Sequence, residues 1–197
     1  MMLRRCCSFT LLVLVLVLVL VLLLLVQGYG MVPNITTWGG NAIFDGEKHH
    51  LFVSRMTNNC SLEHWGRNSR IDHAVSTTGV EGPYEFVDVA VNTWAHNAAP
   101  LALPDGTFAI IHIGDGSGSP TGGDNCTNGN TEHAESIFGP QRTAAAAGAV
   151  HGSAGVVGST IHVAKTLDGP WEPLTNDLGR CNNPAPWVHP NGTIYVG

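Results

Sequence analysis

The chain is poor in charge: its 197 residues include 9 Lys+Arg and 15 Asp+Glu, and charged side chains make up only 12% of the whole. Arg4 and Arg5 are the only charges in the first 30 residues, so 9 − 2 leaves 7 Lys+Arg against 15 Asp+Glu, a net of 7 − 15 = −8, for the remainder. A nucleic-acid partner needs a concentrated basic face for phosphate, and this balance argues against one. Catalytic signatures are missing as well. Ten histidines are present, yet His-Glu-x-x-His does not occur, and His49 and His50, being sequential, fall on opposite faces of a strand. The run from Asp115 to Pro120 has Ser and Pro where a calcium loop needs Asp or Asn and Gly. No phosphate-loop Lys follows Gly114 to Gly122, and no Gly-x-Ser-x-Gly elbow is found. No metal and no other cofactor is implied.

What is abundant is glycine and proline, 24 and 11 residues, which speaks for a turn-rich, mostly β globule rather than a helical bundle. Residues 1–30 stand apart from it. Leu11 to Val26 is an unbroken Leu/Val run, extended to residues 9–26 by Phe9 and Thr10 and preceded by Arg4 and Arg5. It reads as a signal peptide or a signal anchor. Gly28 and Gly30 suit cleavage, whereas the positive flank suits retention with the charges inside. Membrane contact is expected only through residues 9–26, and only if they are retained. Four acceptor sequons, at Asn34, Asn59, Asn125 and Asn191, support a secreted or cell-surface location. Cys60, Cys126 and Cys181 allow at most one internal disulfide, and their spacing does not name the pair.

The strongest pattern in the chain is self-similarity. Gly39 to Phe52, Ala99 to Ile110 and Ala185 to Val196 each place Asp-Gly or Asn-Gly between apolar strands, with turns at Asp45, Asp105 and Asn191. Asp, Asn and Gly tolerate the backbone that a tight hairpin demands, so each unit is expected to be a β-hairpin. Between them recurs a third strand, from Ile71 and again from Ile161, which runs into Gly-Pro-Tyr-Glu (from Gly82) or Gly-Pro-Trp-Glu (from Gly169) and an outer strand. Four strands per unit make one propeller blade. The class is all-β, a partial propeller of four-stranded antiparallel blades, with about two and a half blades before Gly197. A Gly/Ala-rich insertion at about 114–158 is expected to form a mobile rim loop. Residues 31–197 thus read as the N-terminal part of a longer propeller domain.

With the Trp38-Gly-Gly-Asn opening, the stretch Cys60 to Ser76, and the Gly-Pro-aromatic turns, the sequence resembles the five-bladed propellers of the family 43 glycoside hydrolase clan, in the arabinanase, levansucrase and invertase superfamily. The resemblance implies an axial funnel lined by the first strand of each blade, accepting a polysaccharide or oligosaccharide. It also implies inverting hydrolysis by an Asp base, a second Asp and a Glu acid beside the openings of the inner strands. The matching positions here are Gly39, Ala99 and Ala185, none of which transfers a proton. A non-catalytic, lectin-like carbohydrate-binding propeller is the alternative reading, and an inactive fragment a third.

Inverting hydrolysis needs two carboxyl groups about 6.5–9.5 Å apart. Asp45 and Asp105 are expected to form turns, and Glu85 and Glu172 recur in both repeats. Asp72, whose counterpart in the next blade is taken as His162, is the candidate catalytic carboxylate, set against a plain solvated strand position. Trp38, Asn41, His96, Asn97 and Asn183 lie where inner strands begin and are the candidate substrate-binding residues. Amides and imidazole offer paired donors and acceptors to vicinal hydroxyls, and an indole packs on a pyranose face. The same asparagines could instead cap strand ends through their own backbone.

Overall fold

The computed structural model of the chain describes residues 28–123, 125–126, 158–175, 178–179, 181 and 183–197, together with Val13. Most of the apolar run and most of the insertion therefore lie outside the described residues. Among the described residues no helix is long and apolar enough to cross a membrane.

Ten strands are described. The first sheet comprises β1 (Thr37–Phe44), β2 (His49–Met56), β3 (Ser69–Ser76) and β4 (Glu85–Val91), paired in that order. The second comprises β5 (Ala95–Ala102), β6 (Phe108–Gly114), β7 (Ser159–Ala164) and β8 (Glu172–Thr175), again in sequence order. A third unit begins with the hairpin of β9 (Pro186–Val188) and β10 (Ile194–Val196). All pairings are antiparallel. The result is a partial β-propeller, and every strand expected from the repeats is present.

The turns form for the reason that the sequence suggests. Asp45 Oδ1 accepts the backbone N–H of Glu47 and of Lys48, both at 2.8 Å. Asp105 Oδ1 accepts from Thr107 N–H at 2.9 Å, and Asn191 Oδ1 from Thr193 N–H at 3.0 Å. Such side-chain acceptors replace backbone partners that a tight reversal leaves unpaired.

Sheets stack face to face around two apolar clusters. Phe52 and Ile71 of the first sheet meet Ala95, Ala98, Ile110 and Leu167 of the second, and Trp171 sets its edge on Phe52 at 5.2 Å. Leu101, Ala109 and Ile111, on the opposite face of the second sheet, pack against Val188, Ile194 and Val196 of the hairpin. Alternation along β6 sends Ile110 one way and its neighbours the other, so a single strand serves both interfaces. Phe52, Ile71, Ile110 and Ile111 are fully buried, and each such side chain contributes about 1.5–3 kcal/mol.

Strand pairing defines which positions are equivalent. Phe44 pairs with His49, Ala102 with Phe108 and Val188 with Ile194. Counting back from these pairs makes Gly39, Asn97 and Asn183 equivalent, and likewise Asn41, Ala99 and Ala185. The position matched to Ala99 and Ala185 is therefore Asn41 rather than Gly39. Asp72 pairs with Val53 and Thr160 with His112, so Thr160, and not His162, is the counterpart of Asp72. Each shift is of two residues: Asp45 follows Phe44 directly whereas Leu103 and Pro104 separate Ala102 from Asp105, and strand pairing makes Ile71 equivalent to Ser159 rather than to the like residue Ile161.

The start of the insertion is tied down, while the greater part of the expected rim loop lies outside the described residues. Gly118 N–H donates to Thr93 O at 3.0 Å, and Thr121 O accepts from Thr57 Oγ1 at 3.0 Å. Cys126 is joined to Cys60 with the Cα atoms 5.0 Å apart, leaving Cys181 as the free thiol among the described residues.

Candidate functional site

The three equivalent positions share a backbone feature. Gly39, Asn97 and Asn183 have φ of +47°, +54° and +60°. Most L-residues avoid this left-handed region, which Gly adopts freely and Asn more readily than other side chains. In β1 and β5 it coincides with a break in pairing, between Trp38 and Gly40 and between His96 and Ala99. The first two inner strands thus open on a bulge. Part of the reason for Asn at 97 and 183 is therefore conformational.

The side chains then converge. Asn97 Nδ2 donates to Asn183 Oδ1, linking the second blade to the third across 86 residues of sequence. Asn97 Oδ1 lies over Gly39, in the space that a Cβ at 39 would enter, and has no hydrogen-bond partner. Asn97 N–H donates to Ser54 Oγ at 2.8 Å. Asn41 Nδ2 donates to Ala98 O at 2.9 Å, a second link from the first blade to the second. Trp38 pairs with Ser54 on β2 and remains 54% exposed. An indole, two amides and one carbonyl oxygen without a partner thus meet at one end of the inner strands.

His96 and Asp72 take other directions. The His96 ring is buried, with Nδ1 2.8 Å from Ser69 Oγ and its face 5.0 Å from Trp65. Burial pushes its pKa down to about 4, so it is neutral at pH 7. Asp72 sits on β3, two strands out from β1, and is fully buried. Its Oδ1 accepts from Arg70 Nε at 2.7 Å, and its Oδ2 from Tyr29 OH at 2.8 Å and Arg55 Nη1 at 3.3 Å. The carboxylate ties the segment before β1 to β2 and β3. It is not brought together with Trp38, Asn97 and Asn183. Burial and this carboxylate raise the Tyr29 phenol pKa well above its usual value.

The sequons Asn34, Asn59, Asn125 and Asn191 are all exposed. Asn59 and Asn125 each precede a cysteine of the Cys60–Cys126 bridge, so two sequons share one surface site.

Two histidine pairs escaped the sequence reading. His50 Nδ1 faces His73 Nε2 at 2.8 Å, and Asp168 from the second blade lies 4.0 Å from His50 Nδ1. His112 Nε2 faces His162 Nδ1 at 2.9 Å, while His112 Nδ1 donates to Ile113 O at 3.0 Å. Because that carbonyl only accepts, His112 carries its proton on Nδ1 and accepts from His162. Burial pushes the His112 pKa down to about 4. Separations of 23 and 50 residues place these partners on adjacent strands, beyond the reach of any local metal spacing.

Successive four-stranded antiparallel blades of this order form a partial β-propeller, a fold also found among glycoside hydrolases. No family model matches the chain, and no curated protein matches it. Among solved structures it is similar to a family 43 β-xylosidase/α-arabinofuranosidase from a compost microbial metagenome, in complex with xylotriose, with a TM-score of 0.52 and 11% identity over 86% of this chain and 45% of that one. It is also similar to a family 117 glycoside hydrolase produced by the marine bacterium Zobellia galactanivorans, with a TM-score of 0.54 and 13% identity over 86% of this chain and 50% of that one. A third is a GH43_1 enzyme from Xanthomonas citri, with a TM-score of 0.52 and 10% identity over 89% of this chain and 43% of that one. At these identities the likeness is one of fold. The chain spans half or less of the length of each.

Proposed function

We propose that the protein binds an oligosaccharide, or one end of a polysaccharide, where its inner strands open, with Trp38 as the stacking platform and Asn97 and Asn183 as the polar contacts. The observation that carries this reading is the convergence of Gly39, Asn97 and Asn183 from three blades beside an exposed indole. The exposed Asn183 amide offers hydrogen bonds to a sugar hydroxyl, and the indole supplies the apolar surface that a pyranose face covers. Xylo-oligosaccharides are the first ligands to test, since a neighbour of the same fold holds xylotriose.

Hydrolysis is the second reading, supported by the glycosidases among the neighbours. Inversion needs an acid and a base across the glycosidic bond, and Asn41, Ala99 and Ala185 supply neither. Secretion or cell-surface display goes with either reading, supported by the Leu/Val run, the sequons and a disulfide, which persists in oxidising compartments.

Titration of the full chain with xylotriose, arabino-oligosaccharides and galacto-oligosaccharides, followed by tryptophan fluorescence and calorimetry, tests the site. Saturable binding that weakens at least tenfold in Trp38→Ala and in Asn183→Ala is expected. Binding unchanged in both variants would remove these residues from the site. Reducing-sugar release from xylan, arabinan and galactan separates turnover from binding alone.

A further inference from the structure

We propose that His50, His73 and Asp168 form a binding site for a divalent transition-metal cation of the zinc type, which clamps the first blade to the second at the end opposite the inner-strand openings. His50 follows the turn between β1 and β2, His73 lies on β3, and Asp168 belongs to the turn between β7 and β8. Their ligand atoms all lie within 4.8 Å of one another.

Proton counting carries the argument. Asp45 Oδ2 is 3.0 Å from His50 Nε2, and Asp88 Oδ1 is 3.1 Å from His73 Nδ1. The other oxygen of Asp45 accepts the backbone N–H groups of Glu47 and Lys48, both at 2.8 Å. A carboxylate only accepts, so these contacts put the imidazole protons on His50 Nε2 and His73 Nδ1. The inward nitrogens, His50 Nδ1 and His73 Nε2, are then bare lone pairs 2.8 Å apart, with the Asp168 carboxylate beside them. Three electron-pair donors pointing at one place need a cation between them.

A shared proton would bridge the two nitrogens alone and leave the Asp168 carboxylate outside. A divalent ion meets the same need. Metal-bound histidines characteristically donate their second N–H to a carboxylate, which fixes the ring and raises its basicity. Both histidines have that arrangement here. Imidazole nitrogen with one carboxylate oxygen suits zinc, with water completing a tetrahedron.

At Zn–N distances of about 2.0–2.1 Å, the two nitrogens would stand about 3.3 Å apart, so the rings part by about half an ångström. Asp168 closes from 4.0 Å, and it is exposed on a turn. Lys48, whose Nζ is 3.5 Å from Asp168, is the competing cation and swings to solvent.

The test uses the full chain, stripped with EDTA and then dialysed against limiting Zn²⁺, with metal content measured by mass spectrometry and affinity by competition with a chromophoric chelator. We expect one zinc per chain, a rise in Tm on loading, and at least a tenfold loss of affinity in Asp168→Asn and in His50→Gln. Asp168→Asn alters an exposed side chain, so an unchanged metal-free Tm verifies that it folds. Failure of the wild type to retain a stoichiometric ion would overturn the proposal. Equal affinity in Asp168→Asn would overturn it too, because the ion would then be held by other histidines.

Discussion

Acid should loosen this protein well above the pH at which its carboxylates titrate. His96 and His112 are buried, 5% and 0% exposed, and each has its pKa pushed down to about 4. In the unfolded chain both return to about 6.5. The folded state therefore binds protons less readily than the unfolded state between these values, and stability falls as pH drops through that window. At pH 5 the unfolded chain gains about 2 kcal/mol per histidine relative to pH 7.5, from RT ln[(1 + 10^1.5)/(1 + 10^−1)]. Two such groups cost about 4 kcal/mol, a large share of the ordinary 5–15 kcal/mol. His162, lowered by burial, adds in the same direction. Asp45 and Asp105 are lowered carboxylates, whose stabilisation persists above about 3.8 and is lost only below it, so they leave the window clear. Urea unfolding at pH 7.5, 6.5, 5.5 and 5.0 should show a falling midpoint, and Tm should drop by about 10 °C. His96→Gln should remove about half of the pH dependence while lowering stability at pH 7.5. A midpoint that stays level from pH 7.5 to 5.0 would refute the desolvated, neutral state of these rings.

Gly39→Ala places a Cβ against Asn97 Oδ1 at a φ of +47°, and should cost about 2 kcal/mol or more together with sugar binding, as read by urea midpoint and calorimetry. Asp72→Asn leaves Arg55 and Arg70 facing a neutral group in a buried site, which should lower stability by about 3 kcal/mol. If that variant unfolds at the wild-type urea concentration, the ion triad does not anchor the segment before β1. Replacing Cys60 and Cys126 together by Ser opens a link across 66 residues and should cost about 4 kcal/mol on a chain-entropy account, seen as a lower Tm that reductant no longer changes.

Hairpins were legible because their information is local. Asp45-Gly46, Asp105-Gly106 and Asn191-Gly192 mark turns whose side chains hydrogen-bond within three residues, so no distant contact is needed to form them. Alternation then tells which residues share a face, and repetition tells that the hairpins belong to successive blades. Placing Trp38, Asn97 and Asn183 near one another followed from that repetition. The choice of Asn97 over its neighbour His96 as the outward contact did not, because it depends on a bulge between His96 and Ala99 that strand alternation alone does not reveal.

From its sequence alone the protein is committed to repeated antiparallel blades with tight polar turns, since turn chemistry and a two-residue period act between near neighbours. Tertiary structure decided the rest. It chose Cys126 as the partner of Cys60, enclosed Asp72 among Tyr29, Arg55 and Arg70, and set His50, His73 and Asp168 face to face. Each of these depends on the distance and angle between segments far apart in the chain, and that geometry arises only when apolar faces such as those of Phe52 and Ile110 pack the sheets together.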